Sequence, residues 1–240
     1  MQRKLFMAFI ALSLMSLTCY SQQYDITNDG VVVKINNDDS LQSQKIRLQV
    51  INPQIIRVSA TVDNQFSEEG SLIVDPSLTF NPQFSVSDDD EVINLRTDSL
   101  MLSISMSTGE ISFYDSNRTL LLRENAGSGK YFAPIEVEGT KGYTVQQVFE
   151  SPSDEAFYGL GQHQSDEFNY KGKNEVLFQY NTKVSIPFVV SNKNYGIIWD
   201  NYSLSKFGDS RDYEQINQFK LFGKDGKEGV LTATYTQKEN

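Results

Sequence analysis

The sequence predicts an all-β protein, a large antiparallel β-sandwich preceded by a signal-peptide helix. Three observations carry that expectation. Apolar residues alternate with polar ones at period 2 in run after run, as half-buried antiparallel strands require. Turn chemistry breaks the runs at roughly 8–12-residue intervals, the spacing of sandwich strands. No stretch beyond the leader sustains the i, i+3, i+4 apolar pattern of a helix over about 12 residues.

The leader comes first. Arg3 and Lys4 precede Leu5–Leu17, an apolar run broken only by Ser13 and Ser16. That run suits a secretory signal of about 7–15 apolar residues and is too short to span a bilayer. Cleavage is expected after Ser21, giving an exported, periplasmic or extracellular chain. Lipidation at Cys19 is disfavoured, because Ser16-Leu17-Thr18 departs from the usual approach to a lipidated cysteine.

Removing residues 1–21 leaves 219 residues and no cysteine. It also removes Arg3 and Lys4 from 21 bases, leaving 19 against 31 acids and a formal charge of −12. Thiol catalysis, cysteine–zinc sites and a disulfide scaffold are excluded for that mature chain. One histidine, His163, is too few for a histidine-rich metal centre, and no metal or cofactor is expected. The negative charge repels phosphate backbones and anionic lipid, so neither nucleic acid nor membrane is an expected partner. A neutral ligand such as a sugar remains open.

The strands then follow in order. Lys45–Val50, Ile56–Val62, Ile93–Arg96 and Leu102–Met106 alternate cleanly. Asn28-Asp29-Gly30, Ser107-Thr108-Gly109, Asp115-Ser116-Asn117 and Asp225-Gly226 supply turns. The acidic run Ser87–Glu91 lacks the ligand spacing of a calcium loop and reads as a solvated hairpin tip. Asp166-Glu167 is an adjacent acidic pair, but neighbours on a strand point to opposite faces, so solvated loop charges are expected. Gly159 and Gly161 inside a strand pattern predict a bend or a close backbone approach, and Pro187 predicts an edge or first-strand position. Aromatics thicken from Tyr131 onward. Most suit sheet packing, and Trp199 is expected to anchor a core near a domain interface.

Three ordered motifs are more specific. They are Asp154-Glu155-Ala156-Phe157-Tyr158-Gly159-Leu160-Gly161-Gln162-His163, then Ser185-Ile186-Pro187-Phe188-Val189-Val190-Ser191, then Asn194-Tyr195-Gly196-Ile197-Ile198-Trp199-Asp200-Asn201. Together they resemble the N-terminal, galactose-mutarotase-like β-sandwich of glycoside hydrolase family 31, which contains α-glucosidases and α-xylosidases. The resemblance covers most of residues 25–225 and implies a sandwich over 22–228. The opening Gly229–Tyr235 resembles the first strand of a protective-antigen-type sugar-binding insert, so 229–240 is expected to begin a further, truncated segment.

The resemblance implies a retaining α-glycosidase whose two catalytic aspartates lie on a (β/α)₈ barrel. That barrel needs about 250 residues of its own, and no such pattern exists here. Trp199-Asp200-Asn201 lies in the sandwich strand and is no substitute for the family's nucleophile motif. No catalytic residue is therefore expected in this chain, and the chain alone is expected to turn over no aryl α-xyloside. The missing barrel becomes the implied partner and an oligosaccharide the implied substrate of the complete enzyme.

In the family a loop of this domain helps form the leaving-group side of the pocket. Here it would be Asn174–Thr182, with Gln179 and Asn181 as the substrate-binding residues; Gln-Tyr-Asn-Thr ahead of the Ile-Pro-Phe strand leans toward the xyloside side. Two other functions compete. A stand-alone carbohydrate-binding module would use exposed aromatics. An aldose epimerase of mutarotase type would need paired histidines, which His163 alone does not supply.

Overall fold

The computed structural model describes residues 23–237 except 38, 64, 68–69, 76, 78–80, 90, 165–166, 210–213 and 223–227, with backbone alone from 214 onward. The leader lies outside the described residues. All regular structure among them is β, in antiparallel sheets.

The first sheet is a meander of β1 (Tyr24–Thr27), β2 (Gly30–Lys34), β3 (Lys45–Asn52) and β4 (Ile55–Thr61). The second holds β5 (Ser85–Asp88), β6 (Val92–Arg96), β7 (Leu100–Ser105), β8 (Ile111–Asp115) and β9 (Leu120–Arg123). Each predicted alternating run forms a strand, and the predicted turns at Asn28-Asp29 and Ser116-Asn117 join strand pairs. Asp88, Asp89 and Glu91 are exposed around the β5–β6 turn, the solvated tip expected of that acidic run.

Alternation makes the core. Ile46, Leu48 and Val50 of β3, with Val31 and Val33 beside them, pack with Ile93, Leu95, Leu102, Ile104 and Ile111 of the second sheet. Most of these side chains are wholly excluded from water. Each contributes about 1.5–3 kcal/mol by leaving water. At the edge of this core, Lys130 and Glu124 form a buried ion pair. Glu124 also accepts from the Ile111 amide at 2.9 Å, and Lys130 donates to the Gly109 carbonyl at 3.1 Å. Burial pushes the Glu124 carboxyl up to about 7 against the pull of Lys130, and burial likewise lowers the Lys130 ammonium.

A hairpin of β10 (Lys130–Val137) and β11 (Thr140–Gln147) follows, with Tyr131, Ile135, Val137, Tyr143 and Val145 exposed. The next sheet has the order β12 (Phe157–Gln162), β14 (Val184–Ser191), β15 (Tyr195–Ile198). Between β12 and β14 runs β13 (Glu175–Leu177), which pairs with β16 (Ser205–Phe207). β17 (Glu214–Phe222) and β18 (Glu228–Gln237) form a hairpin; of the segment expected over 229–240, residues 229–237 lie in β18 and 238–240 lie outside the described residues.

Pro187 corrects an expectation. It sits in β14, the central strand of its sheet and not an edge. The register with β12 jumps from Gly159↔Val189 to Gly161↔Ser185, so Ile186–Phe188 has no ladder partner on that side. A proline costs nothing where the strand is bulged, because no N–H is required there. The Pro187 carbonyl instead accepts from the Trp199 amide at 2.8 Å.

Candidate functional site

The bulge is built by Gly159-Leu160-Gly161, all with positive φ, at 119°, 64° and 97°. A Cβ on Gly159 would lie 2.6 Å from the Phe188 carbonyl oxygen, and one on Gly161 2.1 Å from that of Val184. Both glycines thus mark the close approach that the sequence predicts. The bulge turns Leu160 inward, where it is buried with Tyr170 and Val189, and Phe157, Leu177, Ile197 and Phe207 pack around them.

Glu155, at the start of the same motif, is buried and locks the strand ends together. It accepts hydrogen bonds from the Ser191 hydroxyl at 2.6 Å and from the Tyr195 hydroxyl. Burial beside that carboxylate raises the Tyr195 phenol well above its ordinary value. Glu155 therefore ties the first, second and third motifs to one another.

Between β12 and β14 lies the stretch expected to be a loop over 174–182. Its first part is the short strand β13, held by pairing with β16; the projecting turn is Phe178–Thr182. Lys183 closes that turn by donating its amide to the Tyr180 carbonyl at 2.7 Å. Asn181 has φ 29°, a left-handed turn conformation that asparagine tolerates.

Gln179 and Asn181 are both exposed at the tip, and neither side-chain amide is hydrogen-bonded within the described residues. Phe178 and Tyr180 share it, 57% and 52% exposed, their rings 6.0 Å apart and tilted by 32°. The sequence marks both only as members of the aromatic-rich stretch from Tyr131 onward, and composition does not decide which of those rings stay in water. Apolar ring faces beside free amides are what a sugar recognises, since its C–H faces stack and its hydroxyls hydrogen-bond.

Beneath the tip the neck is charged and buried. Lys183 pairs with Glu175 and donates to the Val176 carbonyl at 2.7 Å. His163 lies almost wholly buried, with Nε2 2.6 Å from the Leu160 carbonyl and Nδ1 3.3 Å from the Glu175 carboxylate.

The remaining acidic residues stand apart. Asp200 pairs with Arg57 at 3.1 Å, and Glu167 pairs with Lys173 at 3.0 Å, while Asp166 lies outside the described residues. Trp199 is half-buried and belongs to neither buried cluster. Among the described residues no three His, Cys, Asp or Glu side chains gather as metal ligands.

Residues 45–207 match the glycosyl hydrolase 31 N-terminal galactose mutarotase-like domain. The chain belongs to that family. The family 31 domain is 31% identical over 191 residues to an α-xylosidase of Saccharolobus solfataricus, covering 76% of this chain and 25% of that protein. It is similar to the crystal structure of a family 31 α-xylosidase from Xanthomonas citri, at 36% identity and TM-score 0.72 over 87% of this chain and 24% of that one. A family 31 α-xylosidase from a soil metagenome, complexed with xylose, matches at 25% identity and TM-score 0.62, over 77% of this chain and 29% of that one. The chain thus spans about a quarter of the length of these relatives.

Proposed function

We propose that this chain is the non-catalytic N-terminal domain of an exported, retaining α-glycosidase of α-xylosidase type. It packs on a catalytic (β/α)₈ barrel and shapes the substrate pocket with the turn Phe178–Thr182. The observation that carries this reading is the tip itself: Gln179 and Asn181 exposed without internal partners, flanked by two half-exposed aromatic rings. The likeness to α-xylosidases supports the choice of substrate class. Catalysis falls to the barrel's carboxylates, and the tip binds and orients the sugar beyond the scissile bond.

The test is kinetic. In the complete family 31 polypeptide, Asn181→Ala should raise KM for a xylose-bearing oligosaccharide by about 3–10-fold, the worth of one hydrogen bond at about 0.5–1.5 kcal/mol. Unchanged kinetics on oligosaccharides would sink the role. The exposed Phe178–Tyr180 pair also favours a second reading, a module that holds sugar without a barrel. Calorimetric titration of this chain with xylogluco-oligosaccharides separates the two: no heat at millimolar sugar removes the module.

A further inference from the structure

The turn that carries Gln179 and Asn181 is closed at its base by a buried charged cluster whose members come from both of its ends. Glu175 precedes the turn and Lys183 follows it, and the two pair directly. Lys183 is tied twice more, by its ammonium to the Val176 carbonyl at 2.7 Å and by its amide to the Tyr180 carbonyl at 2.7 Å. Just past the end of β12, His163 lies with Nδ1 3.3 Å from the same carboxylate oxygen that Lys183 holds, without a hydrogen bond to it. The Gln164 amide donates to the Thr182 hydroxyl beside it.

We propose that Glu175 and Lys183 are a clamp that fixes the turn Phe178–Thr182 in its sugar-binding conformation, making them positioning residues for the contact made by Asn181 and Gln179. The inference rests on the function proposed above. Its warrant is chemical. An apolar plug of similar volume would serve stability as well as a buried ion pair, whereas a pair whose lysine is also bonded to two backbone carbonyls of the turn and its flank admits few geometries. Such a geometry matters where a binding group must meet its substrate within a fraction of an ångström. The tip has no internal hydrogen bonds from its two amides, so its direction is set from the neck. His163 packs beside the pair with its Nε2 donating to the Leu160 carbonyl of the Gly159–Gly161 bulge, and its Nδ1 makes no hydrogen bond to the carboxylate.

Two measurements test this. Hydrogen exchange on the full 240-residue chain reads the clamp without any sugar. Lys183→Met and the near-isosteric Glu175→Gln should each speed exchange of the Phe178 and Lys183 amides at least tenfold, while β3 and β7 amides keep their protection. Unchanged exchange at the turn overturns the clamp. So does a loss of protection in β3 and β7 alongside the turn in both variants, which would make the pair a general structural element. Kinetics in the complete polypeptide read the consequence: Lys183→Met should raise KM as Asn181→Ala does, and the two together should raise it no further. Full multiplication of the two effects overturns the positioning role. A loosened turn with KM unaltered in every variant overturns the sugar contact proposed above and leaves the clamp standing.

Discussion

The two halves of this domain spend their apolar residues in opposite ways. In the first, β2, β3, β6, β7 and β8 turn Ile, Val and Leu inward and leave a dozen buried side chains in one cluster. In the second, the buried cluster among the described residues is Leu160, Tyr170 and Val189. β14 shows Val184, Ile186, Phe188 and Val190 on its outer face, with Ile198 of β15 opposite Phe188. Beside that small cluster stand buried polar fastenings: Glu155 across three motifs, and Glu175 with Lys183 at the neck. Directional bonds fix geometry, whereas burial of aliphatic surface supplies stability.

The contrast can be broken most sharply in the core. Leu48→Ala should cost about 2–5 kcal/mol in urea unfolding of this chain, while Ile198→Thr on the outer stripe should fall within about 0.5 kcal/mol. Equal losses would mean that the stripe is already covered in this chain. Next in size is the bulge. Gly161→Ala places a Cβ against the Val184 carbonyl at a φ that alanine avoids, and should cost about 1–3 kcal/mol. Its damage should appear as lost amide protection in β12 and β14 with β3 intact; uniform loss through both halves would merge the two regions into one cooperative unit.

The last comparison is read by pH and concerns the buried pair of Glu124 and Lys130. Burial raises Glu124 to about 7, so the folded chain holds a proton there that the unfolded chain releases near 4.5. That contribution is fully present below the unfolded value and is lost as pH rises through the folded one. Glu124→Gln mimics the protonated form. The melting temperature of the wild type relative to this variant should therefore fall by a few degrees between about pH 4.5 and 7.5. A flat difference would show that Lys130 keeps the carboxylate charged throughout.

Much of the site was legible because its cues are local. Gly159 and Gly161 announce a bend from composition, since only glycine accepts the close approach of β14. Gln179 and Asn181 could be placed ahead of the Ile-Pro-Phe strand by motif order. Glu175, Lys183 and His163 could not be read as a group, because they are twelve and eight residues apart and nothing in their spacing implies contact. Pro187 misled for a related reason: its missing N–H forbids a ladder bond, but an edge and a bulge satisfy that constraint equally.

By itself the sequence determined the class of fold, through period-2 alternation, and the family, through three motifs whose order survives in a single chain. It also determined where turns fall, because Asn, Asp and Gly carry their conformational preference with them. Only the tertiary structure decided which aromatics stay in water, which proline needs no partner and which charges meet beneath the turn. Those outcomes depend on burial and on contacts between residues distant in sequence, and neither quantity is a property of a residue or its neighbours along the chain.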